Sequence, residues 1–109
     1  MEKTNVILIN NENELTTLLQ ENNAVIIDFY AEWCAPCRAL LPVLDEVSVE
    51  MEQVKICKVN CDGLSEIASK YGVRSIPTLI FFKDGEIVDT KKGFIPKNEL
   101  VSVIEELLK

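Results

Sequence analysis

The sequence predicts a three-layer α/β/α domain, in which a central mixed sheet of about five strands is covered by four helices. Strand and helix patterns alternate along most of the chain, and an Asp-Gly turn at residues 84–85 then joins two strands directly. The alternation favours parallel strands, whereas the hairpin adds an antiparallel pair. Because the 109 residues contain no repeat or linker, we expect a single domain over residues 1–109.

The first three predicted elements are a strand, a helix and a second strand. Residues 6–9 form a short apolar run, and Asn11 followed three residues later by Glu14 signals the start of a helix. Residues 24–31 are β-rich and apolar on both faces, which is typical of a central strand that helices cover on both sides. One charged residue, Asp28, interrupts this strand.

The remaining elements follow from apolar spacing and from turn residues. A long helix is predicted next, and Pro42 should bend it. Its apolar positions are Leu40, Val43, Leu44 and Val47. A strand, a short helix and a strand are then predicted over residues 54–60, 64–71 and 78–82. The turn at Asp84-Gly85 leads into a strand over residues 87–92, and a last amphipathic helix has Pro96 near its first turn.

Composition and charge exclude several classes of protein. Eleven Lys and Arg against 18 Asp and Glu give a net charge of −7, so nucleic acid is not an expected partner. No apolar run reaches membrane-spanning length, so no membrane association is expected. The first residues lack the long apolar core of a secretory signal, so we expect a small soluble monomer in the reducing cytoplasm.

The most informative motif is Trp33-Cys34-Ala35-Pro36-Cys37, at the junction between the central strand and the long helix. Two thiols at this spacing can close into a disulfide and reopen, which indicates a redox site. The free N–H groups and the dipole of a helix start stabilise a thiolate, so Cys34 should be an exposed nucleophile with a lowered pKa. Cys37 lies nearly one turn later and can attack a mixed disulfide at Cys34. Pro36 should hold both sulfurs in one geometry.

Three residues near this motif each allow two interpretations. Trp33 is either a packing residue or a flat apolar wall that receives a peptide. Asp28 is either a structural carboxylate or a general base with a raised pKa that takes the proton of Cys37. The proline in Ile76-Pro77-Thr78 either starts a strand or forms a cis peptide bond packed against the disulfide.

Cys57 and Cys61 raise the alternative of a zinc site. With the first pair they give C-x2-C and C-x3-C, nineteen residues apart, which is close to a zinc-ribbon spacing. If residues 54–60 form a strand, however, the two cysteines lie roughly 13 Å apart along it, too far to bind one zinc ion. We therefore expect no metal, with Cys57 as a small core residue and Cys61 partly exposed at the strand end.

Residues 28–37, Asp-Phe-Tyr-Ala-Glu-Trp-Cys-Ala-Pro-Cys, resemble the active-site segment of the thioredoxin family. The resemblance covers essentially the whole chain, with further matches at Pro42, residues 58–62, residues 71–78, Gly85 and Gly93. It implies the thioredoxin fold and a cytoplasmic protein-disulfide reductase that acts on disulfide-containing target proteins. It also implies re-reduction by a thioredoxin reductase, with the protein's own disulfide in place of a cofactor.

The resemblance also implies roles for individual residues. It makes Cys34 the attacking thiol, Cys37 the resolving thiol, and Asp28 the proton acceptor with Lys58 nearby. It makes the bond before Pro77 cis. The groove for a substrate peptide would be bordered by Trp33, Ala35, Pro36, Ile76, Pro77 and Gly93.

Two features depart from the family pattern. Ala35 stands where glycine is usual, so we expect a modest change in reduction potential. The extra thiols of Cys57 and Cys61 raise the alternative of regulation, either by oxidation or by a mixed disulfide. A competing hypothesis, based on the apolar rim around Trp33, is a binding module in which the redox activity is incidental.

Overall fold

A five-stranded mixed sheet forms the centre of the fold. The computed structural model describes residues 3–109, so Met1 and Glu2 of the predicted domain lie outside the described residues. In chain order the elements are β1 (Ile7–Leu8), α1 (Glu12–Glu21), β2 (Ala24–Tyr30), α2 (Ala35–Glu50), β3 (Lys55–Asn60), α3 (Ser65–Lys70), β4 (Thr78–Lys83), β5 (Glu86–Lys92) and α4 (Lys97–Leu107). The strand order is β1-β3-β2-β4-β5, with β1 and β2 parallel to β3, and β4 antiparallel to both β2 and β5. The predicted mixed sheet is confirmed.

Each face of the sheet carries its own hydrophobic core. Helices α2 and α4 cover one face, where Leu40, Leu44, Leu100 and Ile104 pack with Ile26, Ile56, Leu79 and Phe81. Helices α1 and α3 cover the other face, where Leu15, Ile67 and Ala68 pack with Val25, Ile27, Phe29 and Ile80. All seven residues of β2 are buried, which confirms the prediction of a central strand that is covered on both sides.

The first strand is shorter than predicted. It spans Ile7–Leu8 instead of residues 6–9, and both of its residues are exposed. It lies at the edge of the sheet and, among the described residues 3–109, pairs only with β3. Ile9 is already buried and its N–H donates to the Lys58 carbonyl at 3.0 Å, so the chain enters the core just after the strand ends.

Turn and helix signals lie where the sequence predicts them. Asp84 and Gly85 both have positive φ, 51° and 83°, as a two-residue hairpin turn of this type requires. Pro96 caps the start of α4, and Pro42 lies inside α2, where the bend it should cause stays a prediction. Within residues 3–109, no helix combines the length and the apolar character that crossing a membrane requires.

The amino-terminal cap of α1 gives a first testable prediction. The Asn11 side chain accepts the Glu14 N–H at 3.0 Å, while the Glu14 carboxylate accepts the Asn10 N–H at 2.8 Å. Asn11→Ala removes the cap and should lower the free energy of unfolding by about 1 kcal/mol, measured by urea denaturation. Asn13→Ala, at an exposed position inside α1, is the matched control and should be neutral or slightly stabilising. Equal destabilisation by the two changes would contradict the role of the cap.

Candidate active site

The Cys pair lies at the junction between the end of β2 and the start of α2. Cys34 is the amino-terminal cap of α2 and still has extended backbone angles, with Ala35 and Pro36 in the first turn. The Cys37 N–H donates to the Cys34 sulfur at 3.3 Å. This donor and the positive end of the helix dipole both favour negative charge at the Cys34 sulfur whenever the pair is reduced.

The two cysteines form a disulfide, with their Cα atoms 5.2 Å apart. The prediction of an exposed Cys34 is wrong for this oxidised state, because only 5% of its surface is accessible and Cys37 has none. Cys34 is joined to Cys37 by the disulfide, and Ile76 packs against the pair from another loop. Of the two cysteines, Cys34 is nevertheless the one that has accessible surface.

A cis proline faces the disulfide. The Ile76–Pro77 peptide bond is cis, and the Ile76 carbonyl oxygen lies 3.9 Å from the Cys34 sulfur. The Pro77 carbonyl accepts the Gly93 N–H at 2.8 Å, and Gly93 has a φ of +86°, which favours glycine. Cys34, Ile76, Pro77 and Gly93 are thus brought together from three separate segments, and the strand-entry interpretation of Pro77 gives way to the cis one.

Trp33 is a surface residue. Its side chain is 68% exposed, so the interpretation as a core packing residue is wrong. The indole Nε1–H donates to Asp62 Oδ2 at 3.0 Å, which fixes the ring beside the disulfide. Ala35 and Pro36 are exposed next to it. These three residues form one continuous rim of the site.

Asp28 is the most perturbed ionisable group near the pair. It is completely buried, and neither of its carboxyl oxygens has a hydrogen-bond partner. Burial raises the pKa of Asp28 from 3.8 to about 7, while the positive charge of Lys58 acts to lower it. Side chains alternate along a strand, so Asp28 shares the α2-covered face with Ile26 and Tyr30. Tyr30 in turn clusters with Cys34 and Cys37, so the carboxyl lies on the face of the sheet that also carries the disulfide.

Lys58 is paired with Asp28 in the register of β2 and β3. Within residues 3–109, its ammonium forms no ion pair with Asp28 and is instead 5.6 Å from the centroid of the Tyr30 ring. Lys58 therefore lies beside Asp28 in the strand register, as expected. The ammonium of Lys58, however, is directed to the face of an aromatic ring. Lys58 is half-buried, so water reaches its side chain.

The second pair of cysteines does not join the first. Cys57 is buried in the core beneath α1 and α3, as predicted, and Cys61 is half-buried. Burial, and next the negative charge of Asp28, raise the pKa of Cys57 to about 12 and also raise that of Cys61. Both groups therefore stay protonated at neutral pH, which disfavours reaction with oxidants. Among residues 3–109, no three His, Cys, Asp or Glu side chains lie close enough together to hold a metal ion.

Two residues of the site escaped the sequence reasoning. Asp62 holds Trp33 from 29 positions away, and no local spacing signals that contact. Tyr30 had a signal, because it lies two residues after Asp28 on the same strand face. Its phenol is also perturbed, since burial, and next the charges of Glu32 and Asp28, raise its pKa.

Comparisons with known proteins identify similar chains over nearly the whole length. A family model described as Thioredoxin matches residues 5–106. A thioredoxin from Mycoplasmoides gallisepticum is 50% identical over 101 residues, which cover 93% of this chain and 97% of that protein. A thioredoxin from Rickettsia bellii is 50% identical over 88 residues, covering 80% and 84% respectively. The structure of a mutant thioredoxin from Halobacterium salinarum superposes with a TM-score of 0.91 at 33% identity, covering 100% of this chain and 96% of that one.

The buried carboxyl should make stability depend on pH. In the folded protein Asp28 keeps its proton up to about pH 7, whereas the unfolded chain releases it near pH 3.8. The folded state therefore binds more protons between these values, so the free energy of unfolding falls as pH rises through them. Each factor of ten in proton affinity corresponds to about 1.4 kcal/mol, so the total loss should be roughly 4 kcal/mol.

Urea denaturation of the oxidised protein between about pH 3 and pH 8 would measure this loss. Asp28→Asn should match the parent protein at the acid end and be more stable at the alkaline end. Glu52→Gln, which removes an exposed carboxyl, is the control and should follow the parent curve. Parallel curves for Asp28→Asn and the parent would show that burial of Asp28 does not perturb its ionisation.

Proposed function

Because this chain belongs to the thioredoxin family, we propose that its reaction consists of two successive attacks, the first by Cys34 and the second by Cys37. The protein is a thiol-disulfide oxidoreductase that reduces disulfides in other proteins, and its own active-site disulfide replaces a bound cofactor. The observation that carries the proposed roles is the position of the Cys34–Cys37 disulfide, at the start of α2 and opposite the cis bond before Pro77.

In the first step the Cys34 thiolate attacks one sulfur of a target disulfide. A bond forms between Cys34 and that sulfur, the target disulfide breaks, and the other target sulfur leaves as a thiolate. Cys34 suits this role because it is the more accessible sulfur and receives the Cys37 N–H at the helix start. The reduction of the target is not complete at this stage, because the two proteins are still joined.

In the second step the Cys37 thiolate attacks the Cys34 sulfur. The mixed disulfide breaks, the target leaves as its second thiolate, and Cys34 and Cys37 become the oxidised pair. Two electrons have then passed to the target. Cys37 is completely buried, so its proton needs an acceptor inside the protein, and the Asp28 carboxyl has a pKa of about 7 for that purpose.

The target segment is proposed to lie in a groove around Cys34. One side is the exposed rim of Trp33, Ala35 and Pro36, and the other side consists of Ile76, Pro77 and Gly93. The indole of Trp33 offers a flat apolar face, and the tie between Gly93 and Pro77 holds the opposite side in place. A flat groove of this kind suits an extended peptide on either side of a cysteine.

Family membership implies a reductase and disulfide-bearing proteins as partners. We propose that a thioredoxin reductase restores the dithiol and that the protein works in the cytoplasm, where reducing conditions keep such a pair in its active form. We also propose that residues 1–109 act as one domain. The single sheet with a core on each face supports this, because both cores depend on β2.

Cysteine variants test the order of attack. With dithiothreitol as reductant, the parent protein should accelerate insulin reduction, and Cys34→Ser should lose that acceleration completely. Cys37→Ser should instead stop after the first step, because nothing resolves the mixed disulfide, and mass spectrometry should detect the joined species. Cys61→Ser is the matched control and should keep parent activity. Full activity in Cys34→Ser would overturn the proposal.

Asp28→Asn tests the proton acceptor separately. Attack by Cys37 on a thionitrobenzoate adduct at Cys34 releases a coloured product, and the Cys61→Ser background removes a competing thiol. The parent rate should rise with pH through about 7 as Asp28 ionises, whereas Asp28→Asn should be slower by about tenfold or more and lack that rise. Glu52→Gln is the control for general charge effects. Superimposable pH profiles for Asp28→Asn and the parent would show that Asp28 is only structural.

A further inference from the structure

A buried carboxyl normally attracts any cation within reach, yet the cation beside Asp28 points elsewhere. Lys58 is the direct register partner of Asp28 on β3, and neighbouring strands lie only about 4.8 Å apart. Both carboxyl oxygens of Asp28 nevertheless lack a hydrogen-bond partner, so the ammonium of Lys58 does not bind them. Something must hold this flexible side chain in another direction.

Tyr30 provides the alternative contact. Its ring centroid is 5.6 Å from the Lys58 ammonium, within the range of a cation–π interaction. The ring itself is fixed, because Tyr30 is only 6% exposed and packs with Cys34, Cys37 and Ile76. Since Tyr30 follows Asp28 by two residues on the same face of β2, ring and carboxyl compete for one ammonium.

We propose that Tyr30 is a positioning residue for the redox reaction: its ring holds the Lys58 ammonium and thereby keeps Lys58 out of an ion pair with Asp28. Tyr30 touches neither a target nor the proton in transfer. It acts through Lys58 on the carboxyl. The consequence for catalysis rests on the proposed function of Asp28 as the proton acceptor.

Among the groups around Asp28, Lys58 is the one whose position decides the pKa of the carboxyl. Lys58 faces it from β3, Tyr30 lies beside it on β2, and β4 contributes the uncharged Leu79 in register. Cys37 on α2 packs with Tyr30, which shares this face of β2, and does not titrate while oxidised. Cys57 and Cys61 also sense the charge of Asp28, but their own raised pKa values keep them neutral near pH 7.

Direct pairing would change what the carboxyl can do. Burial raises the pKa of Asp28 to about 7 even though the charge of Lys58 acts at a distance to lower it. A cation in contact lowers the pKa of a carboxyl by about 1–3. Asp28 would then stay ionised at neutral pH and would be a weaker base, since a general base works best when its pKa is near the working pH.

The test is to titrate Asp28 directly in ring variants. Carbon-13 NMR of the Asp28 carboxyl in the oxidised protein reports its midpoint without interference from the redox thiols. Tyr30→Phe keeps the aromatic face and should leave the midpoint unchanged. Tyr30→Leu removes the face and should lower the midpoint by about 1 pH unit or more. Pentafluorophenylalanine at position 30 keeps the shape but reverses the ring electrostatics, and should lower the midpoint as well, even if Tyr30→Leu folds poorly.

A Lys58→Met background separates the proposed effect from hydration. If the ring acts through Lys58, the ring changes should no longer move the Asp28 midpoint once the ammonium is absent. An equal fall in both backgrounds would mean that water entry explains the shift, and the proposal would be wrong. The proposal would also be overturned if, with Lys58 present, the fluorinated ring and Tyr30→Phe gave the same Asp28 midpoint.

A kinetic arm distinguishes failure of this inference from failure of the proposed function. The thionitrobenzoate release assay should show the same downward shift of its pH profile in the fluorinated variant as the NMR titration does. If the NMR midpoint moves and the kinetic profile does not, Tyr30 positions Lys58 as proposed but Asp28 is not the proton acceptor. If the NMR midpoint does not move, the role of Tyr30 is wrong whatever the kinetics show.

Discussion

The burial of β2 on both faces is the constraint on which the rest of the structure depends. The strand is paired with β3 on one side and β4 on the other, and helices cover both of its faces. Any shift of this strand would therefore disturb both cores. Its carboxyl end leads through a short connection to the start of α2, so the positions of Cys34 and Cys37 are set by the central strand of the sheet.

The same burial sets the chemistry of Asp28. An apolar residue at this position would suit the core better, because a carboxyl without hydrogen-bond partners is costly to ionise there. That cost is also what brings its pKa near neutrality, where a general base is most useful. If Asp28 is the proton acceptor, stability and reactivity are thus opposed at one residue. For the proposed role of Asp28 as proton acceptor, the unpaired position of Lys58 preserves this balance, since an ion pair would stabilise the charge and weaken the base.

Periodicity and turn residues were sufficient to predict the sheet, the helices and the hairpin, because each depends on local pattern. The apolar run of β2, the Asn11 cap and the Asp84-Gly85 turn all lie where the sequence indicates. Contacts between distant segments were not predictable in this way. The hydrogen bond between Trp33 and Asp62 and the cation–π contact between Lys58 and Tyr30 depend on strand order. Strand order cannot be read from local sequence patterns. The prediction that Cys34 is exposed was wrong for a related reason, since Ile76 covers Cys34 from a loop 42 residues away.

In the proposed mechanism, the difference in burial between Cys34 and Cys37 allows one site both to join a target and to release it. A target approaching from solvent can reach only Cys34, because Cys37 has no accessible surface. Once the target is joined, Cys37 would be the attacking thiol, since it lies one helical turn away and needs no approach path. Its attack is intramolecular, so it does not compete with other thiols in solution. The proposed mixed disulfide should therefore be short-lived. The reason is geometric, because the first cysteine lies at the cap of α2 and the second lies inside its first turn.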